Sequence, residues 1–270
     1  MITKAIIPVA GWGTRRLPIT KAVEKCMLPI GNRPVVDYVV EDCLRAGITD
    51  VYFVVSPGST QLKAYYSENK ELNDYLIANG KENYLADITP PTSIRFHYVI
   101  QNTNDRYGTA IPIALTESYL EDDESVVVLM GDDLIYSKDG SSEVKRLIEA
   151  AGDDSAMLGV EIAKENVGRY GVLQLDTDNN FVHIVEKPQP AEAPSTLINV
   201  SKYVLNAAAI SKIVEYSHTD QTGEYYITDP INDYVKDGGK MRVVQAKGDY
   251  LDSGNLDGWL HANNVVCSNN

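Results

Sequence analysis

The segment AGWGTRRLPITKAVEK, residues 10–25, brings two glycines and several cations close together near the start of the chain. Gly11 and Gly13 carry no Cβ, so the backbone there can turn sharply and lay its N–H groups against a phosphate or a base edge. Arg15, Arg16, Lys21, Lys25 and Arg33 follow within a short stretch. The chain as a whole is acidic, with formal net charge -14 and pI near 4.7. A local cationic loop in such a chain predicts a polyphosphate ligand rather than a general anion-binding surface. A second set of charges stands in SVVVLMGDDLI, residues 125–135, where Asp132 and Asp133 follow an apolar run. Carboxylates suit Mg²⁺, which favours hard oxygen donors and is usually held by one or two protein carboxylates together with phosphate oxygens.

These residues need elements to position them. Ala5 to Val9 is a short apolar run that predicts a strand buried on both faces at the centre of a parallel sheet, with the glycine loop at its end. VVDYVVEDCLRAGI (35–48) has apolar residues at helical spacing and stops at Gly47, and DVYFVVS then supplies a second strand. Strand, helix, strand in this order implies a right-handed crossover and parallel pairing. Residues 59–79 read as one or two helices, with Tyr65, Tyr66, Leu72 and Tyr75 as packing residues, and SIRFHYVIQ (93–101) as a third strand. The run ending at Asp132 and Asp133 is a further buried strand, its acids at the carboxyl end where α/β sheets place ligands. Asp133 is expected to orient neighbours or cap the following turn. Beyond it, SSEVKRLIEAA predicts a helix, and AMLGVEI, NVGRYGVLQLD, FVHIVEKP and INVSKYVL predict strands. Thr228 is a candidate N-cap, with Glu224 and Thr228 both expected to be structural, and Asp252 falls in a polar turn before a terminal helix. The pattern as a whole is an α/β fold with a mixed, mainly parallel central sheet between helices.

Composition sets further bounds. A chain of 270 residues with 44% hydrophobic content can bury a substantial core. No apolar stretch reaches membrane-spanning length and the N-terminus lacks a secretory pattern, so no membrane association and a cytoplasmic location are expected. Cys26, Cys43 and Cys267 are odd in number and lack metal-ligand spacing, which predicts free thiols. Acidity argues against nucleic-acid binding, because a phosphate backbone calls for a broad basic face.

Two common phosphate loops fail on the same letters. No stretch supplies Gly-x-x-x-x-Gly-Lys-Ser/Thr, and the dinucleotide fingerprint needs glycine where Arg16 stands. PVAGWGTRRLPITKAVEKCMLP instead resembles the signature loop of the sugar-nucleotide pyrophosphorylases, Gly-x-Gly-Thr-Arg followed by Pro-Lys, and within that family is most similar to its bacterial UTP- and glucose-1-phosphate-using members. Glu24 departs from the family proline before Lys25, from which a less rigid approach to Lys25 is expected.

The resemblance implies a Rossmann-like three-layer α/β/α nucleotidyltransferase fold forming a single domain over 1–270. About 1–136 would be the nucleotide half and about 137–270 the sugar half. It implies nucleotide binding by Ala10, Gly11, Gly13, Thr14, Arg15 and Lys25, with Gln101 and Gly108 reading uracil. Gly171, Glu186 and Lys187 would hold the sugar phosphate, and Asp132 and Asp252 the Mg²⁺ cofactor. Neighbouring strand residues face opposite sides, so Glu186 and Lys187 must leave the regular pleat to serve one ligand. The implied reaction joins UTP and glucose 1-phosphate into UDP-glucose and pyrophosphate, with Arg15, Lys25 and Lys187 as catalytic cations. A homo-oligomer is expected. The alternatives are a dTTP- or CTP-using sister enzyme and a catalytically silent sugar-nucleotide sensor. Thr109 and Ser201-Lys202 also depart from the family pattern.

Overall fold

Alternation along the first strand decides the layering. In β1 (Lys4–Pro8), Ala5 and Ile7 enter one apolar core while Ile6 enters another, so both faces of the strand are buried. A computed structural model describes residues 1–102, 106–178 and 180–268. After β1 the glycine loop winds through short 3-10 turns to the small hairpin β2 (Pro29–Ile30) and β3 (Arg33–Pro34). Then come α1 (Val35–Arg45), β4 (Asp50–Val55), α2 (Gln61–Tyr65), α3 (Lys70–Ala78), α4 (Leu85–Ile88), β5 (Arg95–Ile100), α5 (Ile111–Thr116) and β6 (Val126–Leu129). The second part runs β7 (Asp133–Tyr136), α6 (Glu143–Ala151), β8 (Ser155–Glu161), β9 (Gly171–Leu175), β10 (Phe181–Glu186), β11 (Leu197–Leu205), α7 (Ala207–Ser217), α8 (Thr228–Lys236), β12 (Met241–Gln245), β13 (Asp249–Asp252) and α9 (Leu256–Cys267).

The central sheet is mixed and mainly parallel, in the order β10-β9-β11-β6-β1-β4-β5. Pairing is parallel from β6 through β5 and antiparallel around β11. Tyr203 of β11 is registered with Val128 of β6 on one edge and Met157 of β8 on the other, and β8 carries β12 in parallel. Helices α1 and α6 cover one face and α5, α7 and α8 the other, giving three layers. A third, smaller core forms where α9 closes over β2 and the ribbon β7–β13. Among the described residues no helix is long and apolar enough to cross a membrane.

Several local expectations need correction. The segment expected to enter a strand at Asn166 first closes a 3-10 turn, Lys164–Arg169, in which Tyr170 N–H donates to Val167 C=O at 3.0 Å, and regular pairing begins at Gly171. Thr228 is the first residue of α8 rather than its cap; the N–H of Ile227 instead donates to the Thr109 hydroxyl at 2.9 Å. Asp252 ends strand β13 instead of sitting in a turn. Of the residues assigned to packing near α2 and α3, Tyr66 is buried and stacks on Phe96 with centroids 4.3 Å apart, whereas Tyr65, Leu72 and Tyr75 are exposed.

Candidate active site

β1 lies between β4 and β6, and the connections leaving these two neighbours diverge, so a crevice opens at the carboxyl ends of the parallel strands. It forms a cleft of about 680 Å³. Ala10, Gly11, Gly13, Thr14, Arg15, Lys25, Gln101, Gly108 and Asp132 all line it.

Gly13 has φ +63°, and a Cβ there would meet Thr20 Cγ2 at 2.9 Å and Lys25 Cβ at 3.1 Å. The loop therefore folds directly onto the Lys25 stem. The Thr20 hydroxyl fastens this fold by donating to Gly13 C=O at 2.9 Å. The five loop cations do not act as one cluster. Arg16 is buried, donates to Asn255 C=O at 2.8 Å and lies 5.0 Å from the Trp259 ring centre, so it ties the loop to α9. Arg33 is taken up by Asp37 and Glu41 and covers Tyr38. Lys21 is exposed and stands outside the cleft lining. Arg15 and Lys25 face the cleft, where the Lys25 ammonium pairs with the Asp132 carboxylate. The approach to Lys25, expected to be loose, is tied down instead. Glu24 sits at φ −58°, a value proline would also impose, and its carboxylate accepts three hydrogen bonds from Ser59, Thr60 and Gln61.

Asp132 keeps 34% of its side-chain surface accessible at the cleft floor, so its desolvation is partial. Surrounding protein works against its charge, but Lys25, Lys202 and Arg15 outweigh this and hold the carboxyl below its ordinary value. Asp133 behaves oppositely. Burial lifts it to about 6 against the pull of Lys202, with Asp132 reinforcing the rise. Its carboxylate pairs with the buried Lys202 ammonium and accepts a 3.1 Å bond from the Tyr250 hydroxyl, so it orients neighbours rather than capping a turn. Lys202 was missed as a site residue. A lysine inside the strand-like run INVSKYVL is the signal that could have found it, because a buried ammonium needs a partner.

Asp252 is registered opposite Asp133 across the β7–β13 ribbon, and the hydroxyl of the next residue, Ser253, donates to Asp132 C=O at 2.5 Å. Two acids far apart in sequence are thereby brought to adjoining strand ends. Asp252 accepts a 3.0 Å bond from the Tyr170 hydroxyl, with the Arg169 guanidinium 3.7 Å away.

Gly171, Glu186 and Lys187 form a second group, apart from the cleft lining. Glu186 is registered with Gly171, whose added Cβ would meet Glu186 Oε1 at 3.1 Å. Lys187 has φ +45°, so the regular pleat breaks there, as expected for this pair. Its N–H donates to Tyr170 C=O at 3.0 Å, and its ammonium lies 5.4 Å from the centre of the Tyr226 ring. Tyr170 thus links this group to Asp252. Although Glu186 reaches solvent, desolvation lifts its carboxyl above the ordinary value; the nearby Thr228 hydroxyl and Lys187 oppose the rise, and Asp229 and Glu224 add to it. Glu224, expected to be structural, lines the cleft.

Gln101 and Gly108 reach the cleft from β5 and from the approach to α5. The Gln101 N–H extends the strand by donating to Val55 C=O at 2.9 Å, while its side-chain amide makes a long 3.4 Å contact with Arg106 C=O. Gly108 has φ +127°, and a Cβ would fall 2.4 Å from both the N and the O of Tyr225. Gly108→Ala is therefore expected to cost roughly 2–5 kcal/mol through backbone strain and overpacking. Urea denaturation measures this directly, and an unchanged midpoint would show that the Tyr225 backbone is free to give way.

Comparison with known proteins bears on this arrangement. Residues 4–269 match the nucleotidyl transferase family. A UTP–glucose-1-phosphate uridylyltransferase of Pseudomonas aeruginosa is 33% identical over 276 residues, covering 100% of this chain and 97% of that protein. A UTP-bound UGPase from Acinetobacter baumannii superposes with TM-score 0.89 at 27% identity, over 98% of this chain and 93% of that one. A UDP-glucose pyrophosphorylase complexed with UDP-glucose gives TM-score 0.84 at 28% identity, with 100% of both chains covered. A match running from residue 4 to residue 269, together with a relative one-third identical over this whole chain, makes the protein a member of the nucleotidyl transferase family.

Proposed function

We propose that this nucleotidyltransferase transfers uridylyl from UTP to glucose 1-phosphate, giving UDP-glucose and pyrophosphate. The observation that carries the reading is the convergence on one cleft of the glycine loop, Arg15, Lys25, Gln101, Gly108 and Asp132. The similarity to proteins described as UTP–glucose-1-phosphate uridylyltransferase supports the choice of substrates. Residues of about 1–136 serve the nucleotide and those of about 137–270 the sugar.

A sugar phosphate is already ionised at neutral pH, so no general base is required for its oxygen to attack the α-phosphorus in line and expel pyrophosphate. Positioning and charge stabilisation carry the rate. In this reading Ala10, Gly11, Gly13 and Thr14 present loop backbone to the phosphates, and Arg15 and Lys25 hold the triphosphate and the leaving pyrophosphate. Glu186 accepts bonds from sugar hydroxyls beside Gly171, and Lys187 fixes the sugar phosphate. The donor set fits Mg²⁺, since Asp132 and Asp252 offer two hard carboxylates at adjoining strand ends. Bound there, Mg²⁺ would neutralise phosphate charge. A cytoplasmic location and a homo-oligomeric state belong to the same proposal, the latter to be measured by light scattering.

Base selection is assigned to Gln101 and Gly108, since an amide offers a donor and an acceptor to the pyrimidine edge and glycine lets the ring approach the backbone. Gln101→Ala should raise the KM for UTP. Assays with UTP, CTP and dTTP test the scheme, and equal use of UTP and CTP by the unmodified protein would refute it.

A further inference from the structure

Lys25 is the loop cation that reaches across to Asp132, yet lysine is a long flexible side chain on a turn of only three residues, Lys25–Met27. Something must hold the backbone from which it springs. The residue before it does so through bonds to a distant segment. Glu24 Oε1 accepts from the N–H groups of Thr60 and Gln61, both at 2.8 Å, and its Oε2 accepts from the Ser59 hydroxyl at 2.7 Å. The contact is reciprocal. Gln61 Oε1 accepts from Glu24 N–H at 2.9 Å, and Gln61 Nε2 donates to Ala22 C=O at 2.8 Å. Thr60, the capping position of α2, makes no side-chain capping bond of its own, and Glu24, from 36 residues away, satisfies the free N–H groups of Thr60 and Gln61 at that helix start instead.

We infer that Glu24 is a positioning residue for Lys25. Its four hydrogen bonds with Ser59, Thr60 and Gln61, joined by the bond from Gln61 to Ala22, form a staple that anchors the Lys25 turn to the segment leaving β4, so that the ammonium is delivered to the cleft floor. The anchor is well chosen, because that segment is itself part of the site: Ser59 N–H donates to Ser56 C=O at 3.0 Å, and Ser56 lines the same cleft as Lys25. The staple also brackets the approach, fixing Ala22 and Glu24 on one partner, while the Gly13 backbone lies close against the lysine stem. A cap whose purpose was α2 stability alone would not need Gln61 to reach back to two residues of the loop. The inference rests on the reading of Lys25 as a catalytic cation.

The test is a double-mutant cycle on the full chain, assayed for pyrophosphate release from UTP and glucose 1-phosphate, with folding followed by circular dichroism. Glu24→Ala should lower kcat by about ten- to a hundredfold, the scale of loss caused by misplacing a catalytic group by about an ångström, while leaving the KM for glucose 1-phosphate unchanged. Glu24→Gln, whose amide oxygen can still accept from Thr60 and Gln61 while the Ser59 hydroxyl turns to accept from its NH₂, should rescue most of that loss, and Gln61→Ala should give a smaller fall in the same direction. Because Glu24 acts through Lys25, adding Glu24→Ala to Lys25→Ala should cost nothing more. Losses that multiply in the double variant, an unchanged kcat in Glu24→Ala, or a fall that merely follows the unfolded fraction would each overturn the staple. If Lys25→Ala itself kept full turnover, the catalytic reading of that lysine would fall and the staple's purpose with it. An inactive Lys25→Ala beside a fully active Glu24→Ala would remove the staple alone.

Discussion

Asp132→Asn and Asp252→Asn should each reduce turnover by about 10²-fold or more, the scale seen when a preorganised charge at a reacting phosphoryl or acyl group is lost. Asparagine keeps the shape of the side chain and removes its charge. At position 132 the change also leaves the Lys25 ammonium without its carboxylate partner, and at position 252 it weakens the acceptor for the Tyr170 hydroxyl and the nearby Arg169. Neither residue belongs to the apolar cores, so circular dichroism should report folded protein in both cases. Raising Mg²⁺ should not restore the rate, because the missing element is a ligand charge rather than metal occupancy. Near-normal activity in both variants would rule out the two-aspartate assignment.

The second large effect separates two lysines by the ligand each is proposed to hold. Lys25→Ala removes the cation that faces Asp132 on the cleft floor and should depress turnover by roughly 10²–10³-fold. Lys187 stands in the other group, at a break in the pleat, bonded through its N–H to the residue whose hydroxyl holds Asp252. Lys187→Ala should weaken use of glucose 1-phosphate far more than binding of UTP, since the nucleophile's phosphate would be neither held nor aligned. Calorimetry with UTP in the absence of sugar isolates the nucleotide half of this claim. If Lys187→Ala lost UTP affinity while Lys25→Ala kept it, the two halves of the site would be assigned the wrong way round.

The parts of this site that could be read from the chain are those dictated by local physics. A β-prone run followed by glycines reads as a buried strand with a tight loop at its end, and of the two acids following VVVLM the first, Asp132, emerges at the cleft while Asp133 turns inward. The break in the pleat at Lys187 was legible only through the resemblance, which asked Glu186 and Lys187 to serve one ligand and so denied them the alternation of a regular strand. What the sequence hid was long-range pairing. Arg16 and Arg33 look like phosphate ligands beside Arg15 in the letters, but Asn255, Trp259, Asp37 and Glu41 claim them, and part of that claim comes from α9 at the other end of the chain. Glu24 reads as a lost proline until Gln61 is seen to lie against it. Lys202 reads as an oddity in a strand until Asp133 is found beneath it. For Arg16, Glu24 and Lys202 the deciding partner is remote in sequence, and no periodicity or propensity carries that information, whereas Arg33 is claimed locally by Asp37, four residues on, and Glu41, eight residues on.

The central claim is tested most directly by measuring pyrophosphate release from UTP and glucose 1-phosphate, with and without Mg²⁺. The account predicts pyrophosphate and UDP-glucose in equal amounts, release that depends on both substrates, and a rate that collapses when the metal is chelated. Folded protein that binds UTP yet releases no pyrophosphate with glucose 1-phosphate and Mg²⁺ present would contradict it, and would favour a silent sugar-nucleotide sensor.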